Sequence, residues 1–333
     1  DEAELTGRLR VDQGGVTFDC KGHGWDLDRY IGGDEDEDLN APAKPSTLDA
    51  PVPVEALRSL RLDGRLDMAD VRILGGWFDT LLVHATAKDG TLGVDTFRGK
   101  AYGGDVSGGL RATAGGQGLR SALELDVVNI DLGGLLADVA GQPYCTGTAS
   151  FTSRIRAGGA TWGGMLGSMG GNASLKVVDG RISSGGGNEA QQDTAVKPTM
   201  AEKKRAAQGT PETMPAAKGR AGKAQGAQGT PFDVISATFI VERGVARTRD
   251  FTLDGSMADA TGQGDIDFAQ RTVDLSFEAR AAGVASVPIT IQGPFSDVQS
   301  NVQGLKAVQQ SLFRVLSLPL RPFQFLGEKI FGR

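Results

Sequence analysis

Apolar and polar residues alternate along most of the chain. Leu123, Leu125 and Val127 alternate with Glu124 and Asp126, and Val273, Leu275 and Phe277 alternate with Asp274, Ser276 and Glu278. The same period of two recurs at Leu60/Leu62, Phe151/Ile155, Leu175/Val177, Ala237/Phe239/Val241, Phe251/Leu253, Ile266/Phe268 and Val287/Ile289/Ile291. A period of two places one set of side chains on each face of a β-strand. Turn signals separate the runs: Lys88-Asp89-Gly90, Gly103-Gly104, Gly115-Gly116, Asp179-Gly180, Arg243-Gly244 and Asp254-Gly255. Spacings this short leave no room for crossover helices, so the pattern predicts an antiparallel meander of roughly 13 to 16 strands. Short helices are expected at Val54–Ser59, Leu132–Ala140 and Trp162–Met169. An i, i+3, i+4 stripe of Val302, Leu305, Val308, Leu312, Val315 and Leu316 predicts a C-terminal amphipathic helix over 298–316. Pro319 and Pro322 break it, and Arg314 and Arg321 argue against a membrane span there.

Few helices against many strands pose a packing question. Each strand has an apolar face, and three short helices and a tail cannot cover them all. The sheet must close as a sandwich or barrel, or curl into a trough whose apolar wall faces something else. On the residues alone the closed sandwich stands ahead of the open trough.

Two stretches depart from the alternation. Residues 32–51 form an acidic and Pro-rich loop opening with Asp34-Glu35-Asp36-Glu37-Asp38, and its spacing does not match a calcium-binding EF-hand. Residues 183–231 carry no aromatic residue and include Ala221-Gly222-Lys223-Ala224-Gln225-Gly226, with seven Lys or Arg against four acids. Such a composition buries too little surface to offset ordering entropy, so a disordered insertion is expected, with a transient helical turn near Met200 to Ala207. The organisation read from the chain is therefore a β domain in two parts, 1–182 and 232–297, split by the insertion 183–231 and followed by the tail 298–333.

Composition narrows the function. Glycine, 49 of 333 residues, is about 15% of the chain against a usual share of about 7%, which fits turns and bulges and not a helical bundle. The formal net charge of -6 argues against nucleic acid as a partner. Two cysteines, Cys20 and Cys145, allow one bridge or two free thiols. The chain starts at Asp1 without an initiator Met or leader, so a fragment or mature piece is expected whose missing N-terminus holds an address or anchor. Catalytic and cofactor motifs are missing: the two histidines, His23 and His84, have no ligand partners at metal spacing, and no HExxH, CxxC, GxSxG or P-loop occurs. No cofactor and no enzyme activity are expected. His84 reads as a strand residue on a sheet face.

An ordered set of short motifs carries a resemblance. Trp25-Asp26-Leu27-Asp28-Arg29-Tyr30-Ile31 is followed by a variable loop, then by Val52-Pro53-Val54-Glu55-Ala56-Leu57 running to Leu62-Asp63-Gly64. Lys88-Asp89-Gly90, Ala101-Tyr102-Gly103-Gly104, Asn129-Ile130-Asp131-Leu132 and Val177-Val178-Asp179-Gly180 follow, and then Thr238-Phe239-Ile240-Val241 and Gly264-Asp265-Ile266-Asp267. This order, over about Trp25 to Pro294, resembles the AsmA family. The resemblance implies a periplasmic protein of a Gram-negative envelope, held at the inner membrane by an N-terminal anchor absent from this chain, and a curled groove in place of a sandwich. It implies a non-enzymatic role in phospholipid transfer or outer-membrane lipid homeostasis, or alternatively a scaffold or assembly factor for outer-membrane proteins. The expected ligand is a phospholipid or other acyl-chain lipid on an apolar wall of Phe239, Val241, Phe251, Leu253, Ile266, Phe268, Val273, Leu275, Phe277, Ile289 and Ile291. For any one of these an ordinary core position is an equal reading. Strands about 4.8 Å apart make fourteen of them roughly 65 Å long, part of a bridge between membranes. The tail, with Leu312, Phe313, Phe323, Phe325 and Phe331 beside Arg314, Arg321 and Lys329, is expected to pack within the protein before plugging the groove or touching a membrane.

Overall fold

The computed structural model describes residues 3–31, 47–183 and 229–302, apart from positions 13, 74, 142 and 144 and the stretches 282–285 and 296–298. Most of the insertion, the first part of the acidic loop and the tail from 303 lie outside the described residues, as do the expectations placed on them.

Among the described residues, fifteen strands form one sheet in strict chain order. They are β1 (Glu4–Asp12), β2 (Gly15–His23), β3 (Leu62–Ile73), β4 (Gly76–Lys88), β5 (Thr91–Ala101), β6 (Gly104–Gly115), β7 (Gly118–Asp131) and β8 (Cys145–Gly159). The remainder are β9 (Gly170–Ser183), β10 (Gly229–Glu242), β11 (Val245–Asp254), β12 (Ala258–Asp267), β13 (Thr272–Ala281), β14 (Val287–Pro294) and β15 (Gln299–Val302). Among the described residues, four α-helices interrupt them: α1 (Asp28–Ile31), α2 (Val54–Ser59), α3 (Leu132–Ala140) and α4 (Trp162–Gly167). The sheet is mainly antiparallel, curled and not closed into a barrel: among the described residues no pairing joins β1 to the strands at the far end.

The local chemistry explains the elements. Asp89-Gly90, Tyr102-Gly103 and Arg243-Gly244 each have two successive residues at positive φ, the backbone of the two-residue hairpin turn whose twist matches the strands. Asp131 caps α3 by accepting from Gly133 N, and Gly141 ends that helix in the left-handed conformation at φ 74°. Thr161 caps α4 through Gly164 N.

Three expectations need correction. The pair β2–β3 is parallel, because residues 24–61 carry the chain back to the end at which β2 started. Asp179-Gly180 is not a turn: it lies inside β9, where the register against β8 jumps between Thr146 and Thr148 and Asp179 takes a positive φ of 53°, a β-bulge. The helix expected from Val298 does not begin there, since Gln299–Val302 pair with β14 and Val302 stands opposite Ile289. At the end of the acidic and Pro-rich segment a 3-10 turn (Thr47–Asp49) packs on α4, and Val52 N donates to Ala160 O at 2.9 Å.

The crossover between β2 and β3 is clasped at its first turn. Asp28 accepts a hydrogen bond from Gly75 N at 2.8 Å and pairs with Arg72 at 3.5 Å, while Arg72 N donates to Trp25 O and Leu27 N donates to Arg72 O. Trp25 and Leu27 thereby pack on Met68, Val71 and Leu81. The Trp-Asp-Leu-Asp motif is thus a structural clasp.

Candidate functional site: the apolar face of the sheet

The register places one apolar residue per strand in an unbroken row across fourteen strands. From β1 to β14 the cross-strand partners are Leu9, Phe18, Gly64, Ala85, Val94, Leu110, Leu123, Ile155, Gly171, Val241, Ala246, Ile266, Val273 and Gly293. Nothing in it hydrogen-bonds through a side chain. With adjacent strands about 4.8 Å apart, the row is about 62 Å long measured along the sheet. A parallel row runs from Leu5 through Gly22, Met68, Leu81, Gly99, Val106, Val127, Phe151 and Leu175 to Ala237, again wholly apolar. Between the two lies a row interrupted by a hydroxyl at Ser153.

The opposite face is polar. Arg154 sits between Asp126 at 2.8 Å and Glu124 at 3.5 Å, Arg247 meets Asp265 at 3.1 Å, and His84 meets Asp63 at 3.1 Å. The hydrogen bond from Arg154 to Asp126 raises the guanidinium further above its ordinary value. Asp250 is held below the usual carboxylate range, chiefly by the hydroxyl of Thr238 at 2.6 Å. Exposed pairs of this kind contribute little to stability and keep this side in water. Beside Asp250, a shallow depression of about 330 Å³ lies between β10 and β11 around Ile240 and Arg247.

The chain's own segments cover the margins of the apolar face. α2 packs across the ends of β4, β5 and β6, where Leu57, Ala87 and Ala112 are buried. At the other end, Trp25 and Leu27 cover β3 and β4, and α3 packs on β4, β7 and β8. Tyr102 joins β4, β5 and α3: its hydroxyl accepts from Trp77 N and donates to Asp138, each at 2.9 Å.

Between these margins the face changes character along its length. Leu9 is 68% exposed and Leu123 is 41% exposed, with Phe18, Ala85, Val94, Leu110 and Ile155 half-buried between and beyond them. Further along the same row, Ile266 is 4% exposed and Val273 is 2% exposed. The residues expected to form the wall all fall in this second stretch. Val241, Phe251, Leu253, Ile266, Val273, Leu275, Phe277, Ile289 and Ile291 belong to one buried cluster, and Phe239 and Phe268 pack against it half-buried. The structure brings all eleven together, packed on one another. The accessible members of the face lie on β1–β8, Leu123 and Ile155 among them, outside the wall that was expected.

Aromatic rings over glycines smooth the face. Phe18 is the direct partner of Gly64, Phe232 of Gly180 and Phe277 of Gly262. Gly64 is thus a seat for a ring and marks neither a hairpin nor a bulge. Cys20 lies half-buried on β2 and Cys145 buried on β8, six strands away, and both are free thiols. Burial pushes the Cys145 thiol up to about 12.

Among the described residues, no group of three or more His, Cys, Asp or Glu is placed to hold a metal ion, and no helix is long and apolar enough to cross a membrane. Compared with known proteins, the chain matches the model of the AsmA family over residues 77–251, from β4 into β11 and more than half of its length. No curated protein and no solved structure matches it.

Proposed function

The chain belongs to the AsmA family, and from that premise we propose that it is a non-enzymatic carrier surface for lipid, working in the periplasm of a Gram-negative envelope and acting in phospholipid transfer or outer-membrane lipid homeostasis. The observation that carries the reading is the accessible part of the row, from Leu9 on β1 to Ile155 on β8, whose side chains are hydrocarbon, exposed or half-buried, and free of hydrogen-bonding groups. An acyl chain has no polar group to satisfy and is at home on such a floor. An extended peptide lying there would leave backbone N–H and C=O groups without partners, at a cost of about 1–3 kcal/mol each. Lipid headgroups would stay in water while the tails lie along the accessible part of the row.

Purification of the protein from an envelope fraction, followed by denaturing extraction and lipid mass spectrometry, tests the reading. Stoichiometric phospholipid is the expected result; consistent absence of lipid from folded protein refutes it.

A second reading, a scaffold for outer-membrane protein assembly, is favoured by one observation. All nine residues of β1 are exposed, and its outer edge is unpaired among the described residues, a ready template for strand addition. Crosslinking that captured protein partners and no lipid would decide for it.

A further inference from the structure

The apolar row is continuous in sequence chemistry but not in accessibility, and the change falls at one place. On β1–β8 its side chains are exposed or half-buried; on β10–β13 Val241, Ala246, Ile266 and Val273 are buried. The buried stretch is filled by the protein itself. Phe251 and Phe277 meet edge-to-face with ring centroids 5.0 Å apart, and Leu253, Ile289 and Ile291 close around them. Interiors packed this way have no room for a further chain of atoms.

Resting on the lipid reading above, we infer that acyl chains occupy only the β1–β8 stretch of the face and that β10–β14 form a self-packed stop. The open stretch covers seven strand spacings, about 34 Å. The two leaflets of a bilayer core together span about 30 Å, so this stretch matches two acyl chains lying end to end. Its side margins are already taken by α2 on one side and by Trp25, Leu27 and α3 on the other, which leaves a narrow band centred on Val94, Leu110 and Leu123. Ile155, half-buried against the packed cluster, marks where the band ends. Lipid passing beyond β8 requires the Phe251–Phe277 packing to open, so the fold holds its cargo at one end until something loosens the other.

The test uses the intact 333-residue chain and a phospholipid carrying a diazirine within its acyl chain, presented in vesicles of phosphatidylethanolamine and phosphatidylglycerol. Light-induced adducts are mapped by peptide mass spectrometry. Exposure falls from 41% at Leu123 to 4% at Ile266, so adducts are expected to be about tenfold more frequent on β4–β8 than on β10–β14. Equal labelling of both stretches, or labelling concentrated on β10–β14, overturns the inference while leaving the lipid reading standing. No adducts anywhere, with no lipid co-purifying, overturns both. Leu123→Arg, at an exposed position, should lower the adduct yield without changing the melting temperature; unchanged labelling in that variant also counts against the inference.

Discussion

Phe277 lies over Gly262, its direct partner between β13 and β12, in the space a side chain on Gly262 would fill: a Cβ there would stand 2.1 Å from Phe277 Cδ1. The same relation holds for Phe18 over Gly64 and for Phe232 over Gly180. A glycine in a strand interior weakens it, and a ring laid across the bare backbone restores the lost contact. Gly262→Ala should therefore force the ring aside, and Phe277→Ala should cost about 3–5 kcal/mol by leaving a cavity. In the double variant the new methyl no longer meets a ring, so the two costs should fall short of additivity by about 0.5–3 kcal/mol. Urea unfolding of the four proteins measures this; strict additivity would show that the pair is not coupled.

The cysteines give a simpler readout. Cys145 is buried with its thiol pushed up to about 12, whereas Cys20 is half-buried on the accessible stretch. The thiolate is the reactive form, so an aromatic disulfide reagent at neutral pH should titrate Cys20 in the native protein and reach Cys145 only on unfolding. Rapid modification of both under native conditions would contradict the packing of β8 against β9.

Much of this architecture was legible in the sequence, and the parts that were not share a cause. Alternation identified which side of each strand is apolar, because that depends only on the period of two. It located α2 and α3, whose residues at Val54–Ser59 and Leu132–Ala140 break that period. It did not reveal that Asp179-Gly180 is a bulge, because a positive φ inside a strand and one in a hairpin need the same residues. Nor did it separate Leu123 from Ile266. Both alternate with acids and both lie in one row, but their burial depends on how tightly the sheet curls and on which distant side chains meet across it. The richest apolar strands, β10–β14, looked like the wall for that reason and turned out to be the packed section.

Tyr102 predicts a response to alkali. Burial, with the hydrogen bond to and charge of Asp138 adding to it, raises its ionisation well above the ordinary 10.0, against the opposing pull of Trp77 N and Arg72. In the unfolded chain the phenol ionises near its ordinary value, while in the folded one it keeps its proton. The stability this contributes is complete below pH 10 and is lost as pH rises from there toward the folded value. Tyr102→Phe should cost about 1 kcal/mol at neutral pH through the lost hydrogen bonds, and should flatten the fall in melting temperature above about pH 10. An equally steep fall in the variant would assign the alkaline sensitivity to other groups.

The last prediction concerns the clasp that makes a parallel pair possible in an otherwise antiparallel sheet. Pairing β3 beside β2 in the same direction requires the intervening segment to cross from one end of the strands to the other, and its first turn is tied down by Asp28. Asp28→Ala removes the acceptor for Gly75 N and one of the two carboxylates beside Arg72. A partly buried N–H left without its partner, together with the lost ion pair, should cost about 1–3 kcal/mol. The loss should be local, because β4–β14 hold their register without this segment. Hydrogen exchange should therefore quicken at Leu27, Arg72 and Gly75 and along the β2–β3 ladder, while the amides of β11–β13 keep the wild-type rate. Uniform acceleration across the whole sheet would mean that the clasp holds the global fold, and that the two ends of this long sheet open as one unit.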